Sequence, residues 1–253
     1  MKGMPVVLQS DIRDILHSRA FTIVAVIIGI ITIGAAIGIP IALNRWLASG
    51  IAWEDSKHLL ELFMGFAVNY IPLIVLFTCM ATWATDPIAK EKAKGPIESL
   101  LATPLTTKAV WIGKSLAIFL PAYIIGLNAT VIVIMSMNFA SILPNTGHFV
   151  LPLPEVFTSF LLLPLLMFAL ISLGILFSLI TNPVVGQTII ILVGVILMQV
   201  IGQVGGRINW LLASWDYALY ILAGAVLLGL IAFYLSRFLS KERIILSSKG
   251  KWA

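Results

Sequence analysis

Charge is what this sequence has least of. Only 11% of its 253 residues are Asp, Glu, Lys or Arg, and 60% are apolar; soluble domains carry roughly 25% charge. That scarcity excludes an ordinary water-soluble fold. Cysteine is scarcer still. Cys79 stands alone, so no disulfide forms within the chain and the compartment of its loops is not encoded in cysteine. The three histidines, His17, His58 and His148, are scattered, and no H-E-x-x-H occurs, which argues against a metal-dependent membrane enzyme. No segment gathers several aspartates, as an aspartate-based head-group transferase would need. Charges are also missing from the middles of the apolar runs: Glu61, Asp86, Glu155 and Asp216 all fall at run ends. Mid-membrane charges usually mark proton and ion paths, so a proton-coupled carrier is disfavoured. No internal repeat is evident, which withholds support from an inverted-repeat transporter.

What is present is six apolar runs, near 20–43, 60–84, 113–138, 157–181, 185–204 and 215–238. Each has about 20 residues or more, enough at a rise of about 1.5 Å to cross a core of about 30 Å. Helix is forced, because hydrocarbon offers backbone N–H and C=O groups no partner. The runs are too long and too evenly apolar for the alternating strands of a membrane barrel. The expected fold is an all-α membrane protein, one transmembrane domain over residues 1–253. The first run begins at Ala20 and is about 24 residues long, against about 7–15 in the core of a secretory signal, so a cleaved signal is not expected.

The net charge of +5 is read as topology rather than as nucleic-acid binding. An even number of spans puts both termini on one side. That side holds Lys2, Arg13, Arg19, Lys90, Lys92, Lys94, Lys108, Lys114, Arg237, Lys241, Arg243, Lys249 and Lys251, thirteen of the 16 basic residues. Only Arg45, Lys57 and Arg207 fall on the other. Basic residues concentrate on the cytoplasmic face and meet anionic lipid there. Both termini and the 85–112 loop are therefore expected in the cytoplasm, with the chain in the cell membrane.

Two polar segments stand out. Residues 5–19 precede the first span, and Leu8, Ile12, Ile15 and Leu16 fall on one helical face, with Asp11, Arg13 and Asp14 off it. This is either a topological anchor or an interfacial elbow helix lying flat before the first span. The second segment is 85–110. Asp86-Pro87 reads as an N-cap and first helical position, and Gly95 as the stop. Pro96 opens a second short helix with Glu98 in its first turn, where the helix dipole favours an anion. Thr103-Pro104 ends it, and Thr106 or Thr107 caps the third span. The result is a bracket with Ile97, Leu100 and Leu101 on one face. A two-turn helix is not stable alone, so that face lies either on the protein's own base or in another protein's groove. Gly113-Lys114-Ser115 looks like part of a phosphate loop. The first glycine of that motif would fall at Lys108, so Lys114 is expected to snorkel at the interface.

The pattern Glu91-x-x-x-Gly95-x-Ile97-Glu98-x-Leu100-Leu101-x-Thr103-Pro104, followed by Gly113-Lys114, resembles the signature of type-2 permeases of ATP-binding-cassette (ABC) exporters. Those read E-x-x-x-G-T-[LI]-E-x-L-L-x-[TS]-P, with G-K opening the third span. The motif covers about 25 residues; the six spans, elbow helix and bracket extend the likeness to the whole chain. Position 96 is Pro where Thr is usual; a first helical position accepts it, but the hydroxyl is lost. The resemblance implies that the bracket is a coupling helix between spans two and three, seated in a cytoplasmic ATPase. Pro96 would open it, Ile97, Leu100 and Leu101 would form its apolar plug, and Lys92, Lys94 and Glu98 its polar rim. It also implies two ATPase partners and a second permease subunit, a copy or a paralogue. This chain would then be no enzyme and would hold no cofactor, since ATP and Mg²⁺ belong to the ATPase. The importer-type E-A-A-x-x-x-G loop is not seen, which favours outward transport of an amphipathic or hydrophobic substrate. Two other roles stay open: a permease of the kind that serves nitrous-oxide-reductase maturation, and a non-transporting scaffold or sensor.

Within the spans the polar groups are amides: Asn69, Asn128, Gln187, Gln199 and Gln203. They serve either interhelical hydrogen bonding or a polar stripe on a central path. In the family, spans two and five line that path, which nominates Asn69, Gln199 and Gln203. Gly34-x-x-x-Gly38 and Gly202-x-x-x-Gly206 allow close helix approach, within one subunit or between two. Met135 and Met137 could ligate Cu(I), but gap-filling packing suits them better.

Overall fold

Thr106 shows how a polar residue turns this chain into the bilayer. It sits in extended backbone, and its hydroxyl accepts the Ala109 N–H at 3.2 Å, so it caps the helix that follows. The computed structural model describes residues 4–47, 53–83, 105–181, 183–207 and 215–248. Among them every regular element is helical. They are α1 (Met4–Leu16), α2 (Arg19–Leu47), α3 (Trp53–Trp83), α4 (Thr107–Met137), α5 (Leu143–Thr146), α6 (Leu153–Phe157), α7 (Leu163–Ile180), α8 (Pro183–Arg207), α9 (Trp215–Leu235) and α10 (Lys241–Ser248). Six helical stretches are long and apolar enough to cross a membrane. This is a multi-pass membrane protein.

The six spans form two groups. α3, α4 and α7 make the centre: α4 lies between α3 and α7, and α7 also carries α8 and α9 on its other sides. α2, α8 and α9 are peripheral and turn most of their surface outward. The main core collects Leu76, Met80, Met167, Leu170 and Leu176, all with no exposed surface. A smaller cluster of Leu60, Met64, Val68, Met137 and Ile142 fills the other end. Pro40, Pro72 and Pro121 lie inside α2, α3 and α4. Membrane helices tolerate such prolines because neighbours re-satisfy the freed backbone groups.

Both ends of the described chain meet at one end of the bundle, here the base. α1 packs along the start of α4, and Thr107 Oγ1 donates to Leu239 O at 3.1 Å. Lys108, Arg237 and Arg243 stand over the rings of Phe233, Tyr234 and Phe238 at 5.3–5.7 Å. The base therefore carries the basic residues, as the Lys and Arg distribution requires.

The far end differs from the sequence reading. Residues 139–156 fall between the third and fourth apolar runs; most of them are helical. α4 passes through a π-helical turn, Asn138–Ile142, into α5 and stops at Gly147, whose φ of 71° suits only glycine. Only 147–152 interrupts the helices before α6, and a second π turn, Thr158–Leu162, joins α6 to α7. Pro154 opens α6 after the loop, where the missing N–H leaves no bond unmade, whereas Pro144 follows the first π turn and frees the Ala140 carbonyl. The carbonyls of the π turns find side-chain donors. Asn44 Nδ2 reaches Ala140 O at 3.1 Å, and Tyr123 donates to Phe160 O at 2.8 Å. Asn138 ties the intervening loop down through both Val150 O at 3.0 Å and Val150 N at 2.9 Å.

Candidate functional site

The base frames the segment between α3 and α4. Trp83 ends α3 at 2% exposure, its ring 5.1 Å from Phe21 of α2. Thr106 opens α4. The stretch joining these two fixed points carries every docking residue expected from the sequence: Lys92, Lys94, Pro96, Ile97, Glu98, Leu100 and Leu101 lie outside the described residues. What holds its exit in place is visible. Trp111 Nε1 donates to Ser172 O at 2.7 Å, linking α4 to α7 across buried surface.

Gly113-Lys114-Ser115 is used in helix packing. A Cβ on Gly113 would lie 3.2 Å from Val7 of α1, so glycine lets α1 approach. Ser115 Oγ bonds back to Trp111 O at 2.9 Å. Lys114 does not snorkel: it is 3% exposed and pairs with Asp11 Oδ2 at 3.2 Å. Asp11 therefore faces the protein, contrary to the amphipathic reading of residues 5–19. The rest of that face is shifted as well. Val7 and Ile15 are buried, Leu8 and Ile12 pack at its edge, and Leu16 is exposed. The reason is the partner: α1 lies against α4, and the buried Lys114 draws the Asp11 carboxylate inward.

Of the three residues proposed for a translocation path, Asn69 and Gln199 lie apart, on α3 and α8. Asn69 of α3 is fully buried; its Nδ2 donates to Gly65 O at 2.9 Å, and its Oδ1 has no partner among the described residues. Gln199 of α8 is exposed, and the Gln203 side chain lies outside the described residues. Asn128 is exposed and bonds its own helix at Ile124 O.

Against Gly65, one turn from Asn69, lies Glu155, which the sequence places at a span end. Its side chain has no exposed surface, and neither carboxyl oxygen has a hydrogen-bond partner among the described residues. It packs on Gly65, where a Cβ would lie 3.2 Å from both Glu155 Cγ and Oε1. Glu61 and Asn69 flank Gly65 one turn to either side, and Glu61 is close enough to act electrostatically on Glu155. The spacing Glu61-x-x-x-Gly65-x-x-x-Asn69 is a helical stripe, a signal that was in the sequence. No group of three His, Cys, Asp or Glu able to hold a metal occurs among the described residues. The site offers a buried acid packed on Gly65.

A groove lies beside it. α2 and α3 barely touch, and the space between them is a cavity of about 740 Å³, floored by Leu43 and Met137 and open along one side. Gly34 and Gly38 of α2 meet no neighbouring atom within 4 Å, so this Gly-x-x-x-Gly pair makes no close contact among the described residues. Met137 is buried in the far-end cluster, as packing predicts, and Met135 faces outward.

No family model matches the chain, and no curated protein or solved structure matches it. What the fold defines is a class: a helical membrane protein with six helices of membrane-spanning length.

Proposed function

We propose that the chain is the transmembrane permease subunit of an ATP-driven ABC exporter, moving an amphipathic or hydrophobic substrate outward across the cell membrane. One observation carries this reading. The segment with the exporter-like pattern, Glu91 to Pro104, falls between the second and third of six membrane-length helices, at the end where both termini lie. The ATPase subunits supply ATP hydrolysis, and a second permease subunit completes the path. Residues 85–110 form the coupling bracket, and α1 is the elbow.

The base suits such a task. A push on the bracket is delivered to Trp83 on one side and Thr106 on the other, hence to α3 and α4, the paired central spans. α1 moves with α4, because the Asp11–Lys114 pair and the Gly113–Val7 contact join them. Transmission of this kind is a rigid-body shift between packed elements.

The test is uncoupling. Leu100→Asp and Leu101→Asp put a charge into the apolar plug. They are expected to abolish co-purification with a co-expressed ATP-binding-cassette ATPase from the same source, or its stimulation by this chain, while the thermal unfolding of the purified spans stays unchanged. Variants that still bind and stimulate the ATPase normally refute the docking role.

A further inference from the structure

We infer that Glu155 is a proton-binding site, and that the proton it holds keeps α6 closed against α3 at the far end of the bundle. The site acts whether or not the chain works as an exporter.

The carboxyl group is enclosed. Glu155 has no exposed surface, and neither of its oxygens has a hydrogen-bond partner among the described residues. Gly65 of α3 packs so closely on it that an added Cβ would lie 3.2 Å from its Cγ and its Oε1. An ionised carboxylate without a partner is very costly in such a place. The enclosed form is therefore the neutral acid, and the packing seen here is that of the protonated chain. α6 packs against α3 and α9. On α3 the ionisable groups are Lys57, which is exposed, Tyr70, which is half-buried, and Glu61, whose like charge acts on Glu155. The side chains of Glu54, Asp55 and His58 lie outside the described residues. On α9 stand Asp216, which is exposed, and Tyr217, whose buried hydroxyl has no hydrogen-bond partner among the described residues. His148, in the loop before α6, is exposed.

The segment that carries Glu155 is built to pivot. α6 has five residues, with the loop 147–152 before it and the π turn Thr158–Leu162 after it. The π turn is fastened: Ser159 Oγ donates to Val68 O of α3 at 2.6 Å, and Tyr123 of α4 donates to Phe160 O at 2.8 Å. Ahead of the turn, α6 rests on the Glu155–Gly65 contact and on the ring of Phe157, 5.8 Å from that of Trp215. Single π turns inside helices recur at functional sites. Loss of the proton to bulk water leaves a negative charge on the enclosed group. Water relieves that charge, and reaches it when α6 swings off Gly65 about the fastened turn. Low pH thus holds α6 closed, and rising pH releases it.

The experiment uses the full chain in nanodiscs of phosphatidylcholine, whose head group keeps its charge throughout. Spin labels on Leu153→Cys of α6 and Ile74→Cys of α3, both exposed positions, report the distance between the two helices by electron paramagnetic resonance. The pH is raised from about 5 to about 9, the range from ordinary to strongly buried glutamates. The distance is expected to lengthen by about 2–5 Å, the scale of helix shifts in switching proteins. In the unaltered chain, infrared difference spectra should lose the carbonyl stretch of one neutral carboxyl group in step with that change. Glu155→Gln keeps the shape but cannot ionise; it is expected to hold the short distance at every pH and to lack the band. Glu61→Gln removes the like charge and is expected to move the midpoint to lower pH, with both end distances unchanged. Four results overturn the assignment: a distance that does not respond to pH, a response that persists in Glu155→Gln, no carboxyl band lost from the unaltered chain over this range, or a midpoint that follows the sodium concentration when choline replaces it, which would make Glu155 a metal-cation ligand.

Discussion

α2 and the α6–α7 span have equal mean hydropathy, yet 17% of the first and 72% of the second is buried inside the bundle. Hydropathy reports the solvent, and lipid tails are as apolar as leucine. It cannot tell a helix that faces lipid from one surrounded by other helices. What the small residues meet can. α7 carries Ser172, Gly174 and Ser178 along its length; Ser178 and Gly174 sit against Gly186 of α8, whose added Cβ would collide with the Ser178 hydroxyl and the Gly174 carbonyl. α2 is ridged with Ile23, Ile27, Ile30, Ile31, Ile33 and Ile37, all exposed, and its Gly29, Gly34 and Gly38 meet nothing. Glycine in α7 and α8 brings backbones together; in α2 it leaves an open surface and one wall of a groove.

The largest expected effect breaks this contrast most directly. Gly186→Leu forces α8 away from α7 and is expected to lower stability by about 3 kcal/mol or more, read as a large drop in the melting temperature in detergent. Gly34→Leu on α2 is expected to stay within about 0.5 kcal/mol. Equal losses at both positions would mean that α2 is covered in the same way as α7. Next in size is the base. Lys114→Met removes the buried ammonium paired with Asp11 and is expected to cost about 2–3 kcal/mol, toward the low side for a buried pair because Asp11 keeps some exposure. Adding Asp11→Asn should recover a large part of that loss; a double variant as unstable as the single would show that the pair is not what holds α1. The smallest change probes the centre alone. Trp111→Phe removes one buried hydrogen bond to Ser172 O and should cost about 1 kcal/mol in the same melting assay.

The six spans were legible because twenty apolar residues in lipid leave the backbone no choice but helix. The helical cap at Thr106 and the shared end of the two termini were legible for similarly local reasons. What was not legible depends on partners distant in the chain. Pro144 and Pro154 fall between two apolar runs, yet a π turn carries the helix on to Pro144, and Pro154 opens the short helix that leads into the next span. Lys114 read as an interfacial cation because nothing near it in sequence announces Asp11, 103 residues away. Glu155 read as an end charge; its burial comes from Gly65, on another helix. Asn69 and Gln199 were grouped because both are amides in spans, yet one is enclosed in α3 and the other faces outward on α8. Polarity nominated the residues, and only packing could separate them.

Cys79 has no exposed surface and lies in the main core between the central spans. The native chain is thus its own blank for thiol chemistry: a water-soluble maleimide finds nothing to modify until a cysteine is installed. Single cysteines at Ser240 on the base and at Lys57 on the far end then become a matched pair of reporters in sealed vesicles, each announcing which compartment bathes it without any prior removal of the native sulfur.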